Sequence, residues 1–348
     1  MLLHPETLDL SARATELLDL STGPPGAKLE LPASQLEMAS TPVGSIERLE
    51  DQIRDHRRSV ARALGAEVRF ASAGTHPFAA VSGALNPSER YRHLHDEYGW
   101  VAERQLICGM HVHVAVGGAG RTLAVYNALR AHLPDLAALG ANAPYYAGED
   151  TGMASVRPLV NAMLPRQGIP PVLDSWAQYA AELRWARDGG RLRSAREWWW
   201  ELRPHAVLGT LETRVLDAQT TTGEASALAA VVAALTVWLS QRYDARDLPP
   251  VADSWRIAEN RWAAARRGLE ATMVDVHSGR REPVRDRLEQ LLDQVGGCAT
   301  TIGGTRQLER AREMLTLNGA MRQRRVGAQS GAHGLVRWLA ERFCTGRT

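Results

Sequence analysis

Two short segments alternate charged and apolar residues, and they restrict what this chain can fold into more than any other feature does. In a β-strand successive side chains point to opposite faces, so residues two positions apart share a face. The segment ICGMHVHVAV therefore places His111 and His113 on one face and valines on the other. The segment GTLETRVLDAQTT places Glu212 and Arg214 on one face, with Leu211 among the residues opposite. Both segments predict strands with one charged and one apolar face.

Two further segments repeat this pattern nearer the N-terminus. Gln35 and Glu37 share a face in QLEMA, and Lys28 and Glu30 share a face in KLEL. Charged groups are costly to bury unless they are paired or bind a metal ion. We therefore expect a sheet whose apolar face is covered by helices and whose charged face is turned toward a ligand.

The composition is that of an ordinary soluble enzyme, and it excludes several classes of function. With 348 residues the chain can bury a large core, and its net charge of +2 gives no electrostatic case for binding nucleic acid or an anionic membrane. Three cysteines without a secretory signal indicate a reduced cytoplasmic protein. Lys28 is the only lysine and stands in GAKLE, which excludes a P-loop. The most apolar stretch, 225–239, is short for a membrane span and predicts a buried core helix.

The order of the predicted elements indicates an α+β fold with a mostly antiparallel sheet. The predicted strands, which include one at 68–77, all lie at or before the segment GTLETRVLDAQTT. The chain after that segment is predicted to be nearly all helix. We therefore predict a single catalytic domain over residues 1–348, of which 224–348 is largely helical. The helices are predicted at 45–64, 89–105, 121–133, 224–243, 253–274, 284–295, 306–315 and 334–343.

Each motif also has a simpler interpretation as part of the scaffold. Paired imidazoles on a strand could bind zinc or iron, or could be hydrogen-bonded on a wet sheet face. Glu212 and Arg214 alone would more often form an ion-pair array. GGAG at 117–120 could hold a phosphate, but it lacks the third glycine of the dinucleotide-binding pattern, so a plain turn is favoured. The tryptophans at 198–200 favour a core role over a ligand platform, and RQRR at 322–325 favours a solvated face over a phosphate clamp.

Six motifs in order resemble one family, and they include both charged segments. Besides GMHVHV and GTLETRVLDAQTT, they are GTHPFA, ANAPYYAGEDTGMASVRP, WWxxRPH and ENRWAAARRGL. Together they resemble the type 2 glutamate–cysteine ligases, a family of carboxylate–amine ligases, over about residues 1–325. That family resembles the catalytic sheet of glutamine synthetase, in which an antiparallel sheet forms a funnel that holds ATP and divalent metal ions.

The resemblance implies roles for particular residues. It implies that Glu37, His111 and Glu212 are ligands of the metal ions or of metal-bound ATP, with Glu30 as a further candidate. Arg214 would face the phosphoryl group being transferred, so that Glu212 and Arg214 are the candidate catalytic residues. His113 lies in a neighbouring position without an assigned role. The candidate nucleotide-binding residues are Arg214, Arg203 and Arg322.

The candidate substrate-binding residues follow from their positions. Arg157 ends the long polar loop at 141–158, and Thr75 and His76 lie at the end of a predicted strand. Loops and strand ends around the mouth of a site are where donors meet a substrate carboxylate. Arg157 has a second interpretation, in which it fixes the loop by pairing with an acidic residue at 149–150.

The chemistry that the family implies matches these residue types. A carboxylate condenses with an amine once its oxygen has become a better leaving group, and ATP provides this by forming an acyl phosphate. Oxygen ligands suit Mg²⁺, and a set that includes histidine also suits Mn²⁺. We expect an ATP-dependent carboxylate–amine ligase with glutamate and cysteine as default substrates, no nucleic-acid or membrane partner, and a homodimer as one allowed assembly.

Two alternatives stay open at this point. An HxH-type metallohydrolase would bind one metal ion tightly without nucleotide. A non-catalytic relative would bind ATP or an amino acid and release no phosphate with any acceptor.

The family also has an opening strand with closely spaced glutamates, which precedes a segment like the MLLHPETLDL at 1–10. Those glutamates supply further metal ligands. We expect that the true start lies upstream, since Glu37, His111, Glu212 and Arg214 are all in place, or else that the strand has been lost. Without these carboxylates we expect the chain as written to be weakly active or inactive.

Overall fold

Strand pairing in the described part of the chain is antiparallel in every sheet. The structure, a computed structural model, describes residues 1–20 and 26–346. One sheet there has three strands and four have two. The strands are, in chain order, β1 (Leu2–Leu3), β2 (Ala27–Leu29), β3 (Leu36–Met38), β4 (Arg69–Phe70), β5 (Gly109–Ala115), β6 (Tyr145–Tyr146), β7 (Glu149–Asp150), β8 (Leu202–His205), β9 (Thr210–Asp217), β10 (Thr272–Val274) and β11 (Arg281–Pro283).

Helices surround these sheets and dominate the C-terminal part. The helix predicted at 45–64 is present: the Ser45 hydroxyl accepts a hydrogen bond from the Arg48 backbone N–H at its start, and Gly65 follows its end. The α-helices are, in chain order, α1 (Ala14–Leu20), α2 (Ile46–Leu64), α3 (Glu89–Tyr98), α4 (Ala119–Leu129), α5 (Leu133–Leu139), α6 (Arg157–Asn161), α7 (Trp176–Asp188), α8 (Thr222–Asp244), α9 (Ser254–Arg267), α10 (Val284–Gln294), α11 (Gly296–Thr301), α12 (Thr305–Met314) and α13 (Gly319–Arg342).

The three-stranded sheet, in the order β5–β9–β8, aligns charged residues in one row. His113 of β5 lies opposite Glu212 of β9, and Glu212 lies opposite Arg203 of β8. On the other face, apolar side chains such as Val112 and Leu211 are buried in the main hydrophobic core. The division into a charged and an apolar face confirms the strand prediction.

Helix α8 runs through the main core and carries the most apolar stretch of the chain. By length and composition it could cross a membrane, but 83% of its most apolar window is buried inside the protein. It is the core helix that the sequence predicts. A capping box fixes its first turn: the Thr221 hydroxyl accepts from the Glu224 backbone N–H, and the Glu224 carboxylate accepts from the Thr221 backbone N–H.

Glycines end two helices earlier than the sequence predicts. Helix α3 ends at Tyr98, because Gly99 has a φ of 46°, and a 3₁₀ turn follows. Helix α9 ends at Arg267, before Gly268 with a φ of 55°. Glycine reaches these positive φ values without the steric penalty of a side chain. The segment after Gly268 forms β10, which pairs with β11.

Two other elements differ in extent from their predictions. Helix α13 begins well before residue 334, and Gly331, with φ 68° and ψ 179°, interrupts it. Of the strand predicted at 68–77, only β4 pairs with another strand, β1, and Thr75 adds a single bridge to Ile107.

The strands with charged faces belong to two sheets instead of one. The strands β2 and β3 form a separate hairpin in which Lys28 lies opposite Glu37. Apolar residues of this hairpin, such as Leu36 and Met38, pack on a second core that includes Val60 of α2. The β2–β3 hairpin and the β5–β9–β8 sheet thus bury their apolar faces against different helices. The α+β class is confirmed, and the single sheet is corrected to several small ones.

Replacing Thr221 with Ala tests the cap of the core helix. The change removes the capping hydroxyl, so we expect the free energy of unfolding to fall by about 1–2 kcal/mol, measured by urea denaturation followed by circular dichroism. Thr301→Ala is the control, because its exposed hydroxyl donates only to the Gly297 carbonyl one turn earlier. That control should stay within about 0.5 kcal/mol of the parent. Equal losses in the two variants would contradict the role of the cap.

Candidate active site

Glu212 lies at the centre of the charged face, and two arginines hold its carboxylate. Arg203 Nε donates to Glu212 Oε2 at 2.7 Å, and Arg214 Nη1 donates to Glu212 Oε1 at 2.5 Å. Glu212 is 2% exposed and Arg203 is 7% exposed, so water contributes little to their solvation. Arg203 Nη1 also donates to the carbonyls of Arg196 and Trp198, which fixes its guanidinium group.

The two guanidinium groups keep the Glu212 carboxylate ionised. Burial by itself raises the pKa of this carboxyl, but the charges of Arg214 and Arg203 outweigh burial and lower the pKa to about 2. The Nε of Arg214 is buried and has no hydrogen-bond partner among the described residues. Arg214 therefore keeps an unused donor beside a permanently charged carboxylate.

Two imidazoles border the same carboxylate oxygen. His111 Nδ1 lies 3.6 Å and His113 Nε2 lies 3.8 Å from Glu212 Oε1. A β-bulge positions His111, which lies opposite two residues of β9, Arg214 and Val215. Burial, and after it the charge of Arg214, lowers the pKa of His111 well below its ordinary value, so this imidazole is neutral at pH 7.

The β2–β3 hairpin brings two more carboxylates toward this site. Burial raises the pKa of Glu30, the nearby charge of Glu37 raises it further, and the charges of Arg90 and Arg214 oppose this rise. Glu30 therefore lies within electrostatic range of Arg214 on the other sheet. Its backbone is fixed by Asn86, whose Nδ2 donates to the Glu30 carbonyl at 2.5 Å.

The structure places predicted metal ligands near one another but does not arrange them as a metal site. His111 and Glu212 adjoin, but Arg203 and Arg214 engage both oxygens of the Glu212 carboxylate. The side chain of Glu37 is exposed. Within residues 1–20 and 26–346, no group of three or more His, Cys, Asp or Glu side chains is arranged to hold a metal ion.

Arg157 is buried, and its main partner is Asp217 at the end of β9. Arg157 Nε donates to Asp217 Oδ1 at 2.7 Å, and Arg157 Nη2 donates to the Val215 carbonyl at 2.7 Å. The alternative pairing of Arg157 with Glu149 or Asp150 is wrong, because Arg157 pairs with Asp217 and Asp150 pairs with Arg324 of α13. Arg157 thus joins the long polar loop directly to the strand that carries Glu212.

The remaining nitrogen of Arg157, Nη1, lies close over Gly109. A Cβ at Gly109 would lie 3.2 Å from Arg157 Nη1 and 3.6 Å from both His111 Nε2 and the Leu216 carbonyl oxygen. The absence of a side chain at this position therefore allows the guanidinium and the imidazole to approach the backbone of β5.

Thr75 and His76 are buried and fix the backbone around the site. The Thr75 hydroxyl donates to the Tyr145 carbonyl at 2.7 Å. His76 Nε2 lies 2.9 Å from the Leu8 carbonyl, and its Nδ1 accepts from the Ala79 backbone N–H. Burial lowers the pKa of His76 to about 4, so it is neutral at pH 7. These contacts give both side chains a structural role, and their contact with substrate stays a prediction.

The three arginines predicted to bind nucleotide have different environments. Arg322 forms an ion pair with Glu224 at the start of α8 and donates to the Leu317 carbonyl at 2.8 Å. Burial lowers the pKa of this guanidinium to about 10. Arg322 contacts no member of the Glu212 cluster in the described part of the chain, and its role in nucleotide binding stays a prediction. Arg203 is at the site, but its pairing with Glu212 makes it a scaffold for that carboxylate.

A family model matches nearly the whole chain. The model described as Glutamate-cysteine ligase family 2 (GCS2) matches residues 2–341. The chain belongs to glutamate–cysteine ligase family 2. This confirms the resemblance carried by the six motifs and makes the chain an ATP-dependent ligase of the glutamate–cysteine ligase type, in preference to an HxH-type metallohydrolase.

Two curated relatives match this chain over at least 90% of their own lengths. One from Rubrobacter xylanophilus, provisionally named glutamate–cysteine ligase 2-3, is 36% identical over 349 residues, which cover 98% of this chain and 94% of the relative. One from Gloeobacter violaceus, provisionally named glutamate–cysteine ligase 2, is 33% identical over 338 residues, which cover 94% of this chain and 90% of the relative.

Two solved structures have the same fold. A bifunctional glutathione synthetase from Pasteurella multocida matches with a TM-score of 0.68 and 16% identity over 92% of this chain, which spans about half (48%) of that protein. A glutamate–cysteine ligase from Francisella tularensis, solved in complex with AMP, matches with a TM-score of 0.66 and 13% identity, covering 92% of this chain and 82% of that one. At these identities the likeness concerns the fold alone.

Reasoning from the sequence missed Asp217, which holds the polar loop against β9. Besides pairing with Arg157, its carboxylate accepts hydrogen bonds from the Ser155 hydroxyl and the Asn142 backbone N–H. A signal was present in the motif itself, because an aspartate that ends an apolar strand is costly to bury without partners. The identity of those partners could not be inferred, since they lie about 60 and 75 residues away in the chain.

Replacing Asp217 with Asn tests whether this ion pair holds the family's loop in place. The change leaves the buried Arg157 charge uncompensated, so we expect the free energy of unfolding to fall by roughly 3–5 kcal/mol, measured by chemical denaturation. Asp244→Asn is the matched control, because it breaks an exposed pair with Arg121 and should cost less than about 1 kcal/mol. A loss at Asp217 no larger than that at Asp244 would contradict the structural role.

Proposed function

We propose that this enzyme joins a carboxylate of glutamate to the amine of cysteine through an acyl phosphate formed with ATP. The observation that carries the proposal is the buried Glu212 carboxylate, held between Arg203 and Arg214 with the neutral His111 beside it. Family membership supports the ligase class, and the names of the relatives supply the default substrates. The acid and the amine are both small molecules.

The reaction consists of two displacements. First, a carboxylate oxygen of the acid attacks the γ-phosphorus of ATP, the bond from that phosphorus to the bridging oxygen breaks, and ADP leaves. Second, the amine attacks the acyl carbon, the carbon–oxygen bond to phosphate breaks, and the nitrogen releases a proton to solvent. In the first displacement two anions must approach each other, so the site must supply positive charge in fixed positions.

Arg214 is the residue that most directly supplies this fixed positive charge. Its Nη1 is held by Glu212, and its buried Nε has no partner among the described residues. A guanidinium group offers donors in a planar fork that matches the oxygens of a phosphoryl group. Glu212 and Arg203 fix the orientation of this fork, so the cation is positioned before the substrates bind.

The donor set around the cluster also suits a divalent cation. Glu212 and His111 adjoin, and Glu30 and Glu37 place two like charges close together. Carboxylate oxygens and a neutral imidazole are ligands of Mg²⁺ and Mn²⁺. These four residues would supply the ligands only after a Glu212 oxygen leaves Arg203 or Arg214, since they are not arranged as a metal site in the described part of the chain. The metal ion would neutralise negative charge on the phosphates of ATP.

Arg157 is the residue that we propose for binding the acid substrate. Its Nη1 makes no hydrogen bond to the described residues, while its other nitrogens are held by Asp217 and the Val215 carbonyl. A guanidinium group fixed in this way can bind a carboxylate without first losing side-chain freedom. We assign Arg157 to binding of the acid substrate.

Several coarser features of the enzyme complete the proposal. We propose that residues 1–348 form one catalytic domain, that the charged faces of the two sheets line a funnel for ATP, and that the enzyme works in the cytoplasm and can form a homodimer. The one helix in the described part that could span a membrane by length and composition is mostly buried inside the protein.

Replacing Glu212 with Gln tests the proposed catalytic cluster. A neutral amide forms no ion pair with Arg203 or Arg214, so we expect the free energy of unfolding to fall by roughly 3–5 kcal/mol. Under conditions in which circular dichroism shows a folded protein, we expect phosphate release with ATP, Mg²⁺, glutamate and cysteine to fall at least roughly 100-fold. Glu309→Gln, an exposed carboxylate on α12, is the control and should keep the parent rate. Unchanged phosphate release in the Glu212 variant would refute the assignment.

Replacing Arg157 with Ala tests the grip on the acid. We expect the KM for glutamate to rise roughly tenfold, through loss of a charge-assisted hydrogen bond, and the KM for ATP to change less. Arg157→Lys keeps a cation beside Asp217 but lacks Nη1, so it should raise the KM for glutamate with a smaller loss of stability. A larger effect of either variant on the KM for ATP would move Arg157 to the nucleotide side of the site.

A further inference from the structure

A buried ion pair outside the Glu212 cluster joins helix α9 to the chain beside Arg214. Arg261 Nε donates to both carboxylate oxygens of Glu201 at 2.9 Å, and Arg261 Nη2 lies 2.8 Å from Glu201 Oε1. Both residues are buried. A guanidinium group that meets both oxygens of a carboxylate fixes its orientation as well as its position. The mechanism proposed above uses neither residue.

The backbone of Glu201 carries this restraint to Arg214. The paired register of β8 and β9 ends with Leu202 opposite Thr213, one residue short of Arg214. Beyond that end, the Arg214 backbone N–H donates to the Glu201 carbonyl at 2.7 Å, while the Glu201 backbone N–H donates to the Gly168 carbonyl at 2.9 Å. The pairing of the two strands is thus extended to Arg214 by a bond whose geometry depends on where Glu201 is held.

Arg214 depends on its backbone for the position of its guanidinium group. Its Nη1 is held by Glu212, which lies two residues earlier on the same strand and so moves with it. That ion pair sets the direction of the guanidinium group, while its place in the site follows from where the backbone of Arg214 lies. This backbone is held by the Glu201 carbonyl and by Arg157 Nη2, which lies 3.4 Å from the Arg214 carbonyl.

Helix α9 is a firm support for this restraint. Asn260 fixes the helix to β10, because its Oδ1 accepts from the Val274 backbone N–H at 2.9 Å and its Nδ2 donates to the Val274 carbonyl at 2.7 Å. Near the end of the same helix, the Ala265 carbonyl accepts from the Ser155 backbone N–H, so α9 also holds the polar loop that Arg157 ends. One helix thus restrains both the phosphoryl side and the acid side of the proposed site.

We propose that Arg261 is a positioning residue for phosphoryl transfer: by holding Glu201 it fixes the backbone of Arg214 and keeps that guanidinium group in place for the γ-phosphoryl group. The inference rests on the proposed ligase function and adds to it a residue that touches neither substrate. Misplacing a positioned group by about 1 Å can cost roughly 100-fold in rate. A change at Arg261 should therefore slow phosphoryl transfer although Arg214 itself is intact.

Arg261→Lys tests this role, because lysine keeps a cation beside the Glu201 carboxylate but loses the two-point contact. We expect kcat for phosphate release with ATP, Mg²⁺, glutamate and cysteine to fall at least roughly tenfold. The KM for glutamate should stay within about twofold of the parent, since Arg157 and its partner Asp217 are unchanged.

Arg256→Lys is the matched control on the same helix, because its ion pair with Asp253 is exposed. It should keep the parent kcat. Equal values of kcat in the Arg256 and Arg261 variants would overturn the inference. A rise in the KM for glutamate as large as the fall in kcat would mean that the whole site has loosened, and this result would also overturn it.

A double variant keeps the test decisive if Arg261→Lys does not fold. Glu201→Gln combined with Arg261→Gln removes both charges and leaves no uncompensated buried ion. With folding verified by circular dichroism, we expect the same fall in kcat and the same KM for glutamate as in Arg261→Lys. A parent-like kcat in the folded double variant would contradict the positioning role.

Binding measurements test the same link without turnover. Titration calorimetry in the presence of Mg²⁺ compares ADP with a non-hydrolysable ATP analogue, which carries the additional γ-phosphoryl group. We expect the parent and Arg256→Lys to bind the analogue more tightly than ADP. Arg261→Lys should lose at least roughly tenfold of this preference, the effect of a lost charge-assisted hydrogen bond. An unchanged preference in Arg261→Lys would overturn the inference.

Hydrogen exchange separates failure of this inference from failure of the ligase proposal. If the parent neither releases phosphate nor prefers the ATP analogue to ADP, the proposed function fails, but the restraint on Arg214 can still be measured. Mass spectrometry of peptides from β9 follows the exchange of the Arg214 backbone amide. We expect this exchange to be at least roughly tenfold faster in Arg261→Lys than in the parent or Arg256→Lys. Equal exchange in the three proteins would overturn the inference.

Discussion

The ion pairs of Glu212 with Arg203 and Arg214 are the interaction on which the arrangement of the site depends. A carboxylate that is 2% exposed would cost several kcal/mol to bury unless cations compensated it. Because Arg203 lies on β8 and Glu212 on β9, this compensation requires the two strands to pair in one register. The same register places His113 of β5 opposite Glu212. The charge balance of one side chain thus fixes the relative positions of three strands.

Further buried ion pairs attach the surrounding elements to this sheet. Arg157 joins the polar loop to Asp217 at the end of β9. Arg261 of α9 joins that helix to Glu201, immediately before β8, with Arg261 Nη2 and Glu201 Oε1 2.8 Å apart. Buried pairs of this kind add little net stability compared with apolar packing, but removing one partner is costly. Their effect here is to hold loop, helix and sheet in one geometry around the candidate site.

Local sequence patterns predict a large part of this architecture. The alternation in β5 and β9 assigns His111, Glu212 and Arg214 to one face, because the period of a strand is fixed by its backbone. The long apolar stretch at 225–239 predicts the core helix α8, and the structure adds the capping box at its start. The resemblance of the ordered motifs to the type 2 glutamate–cysteine ligases adds the chemical roles that alternation alone does not give.

Long-range pairing is what the sequence does not specify. No local sequence pattern indicates that β2 and β3 lie outside the central sheet. No local pattern indicates that Arg322 forms an ion pair with Glu224. The bulge that sets His111 against two residues of β9 depends on how two distant strands meet. Such features are decided by which apolar faces are buried together, and they emerge only when the whole core is assembled.

The central claim is that the site activates a carboxylate by phosphorylating it, and isotope transfer tests this most directly. Glutamate labelled with ¹⁸O in its carboxylates would be incubated with the enzyme, ATP, Mg²⁺ and cysteine, and the released phosphate analysed by mass spectrometry. An acyl phosphate predicts one ¹⁸O atom in the phosphate for each amide formed, because the oxygen that attacks the phosphorus leaves with it. Amide formation with unlabelled phosphate would contradict the account.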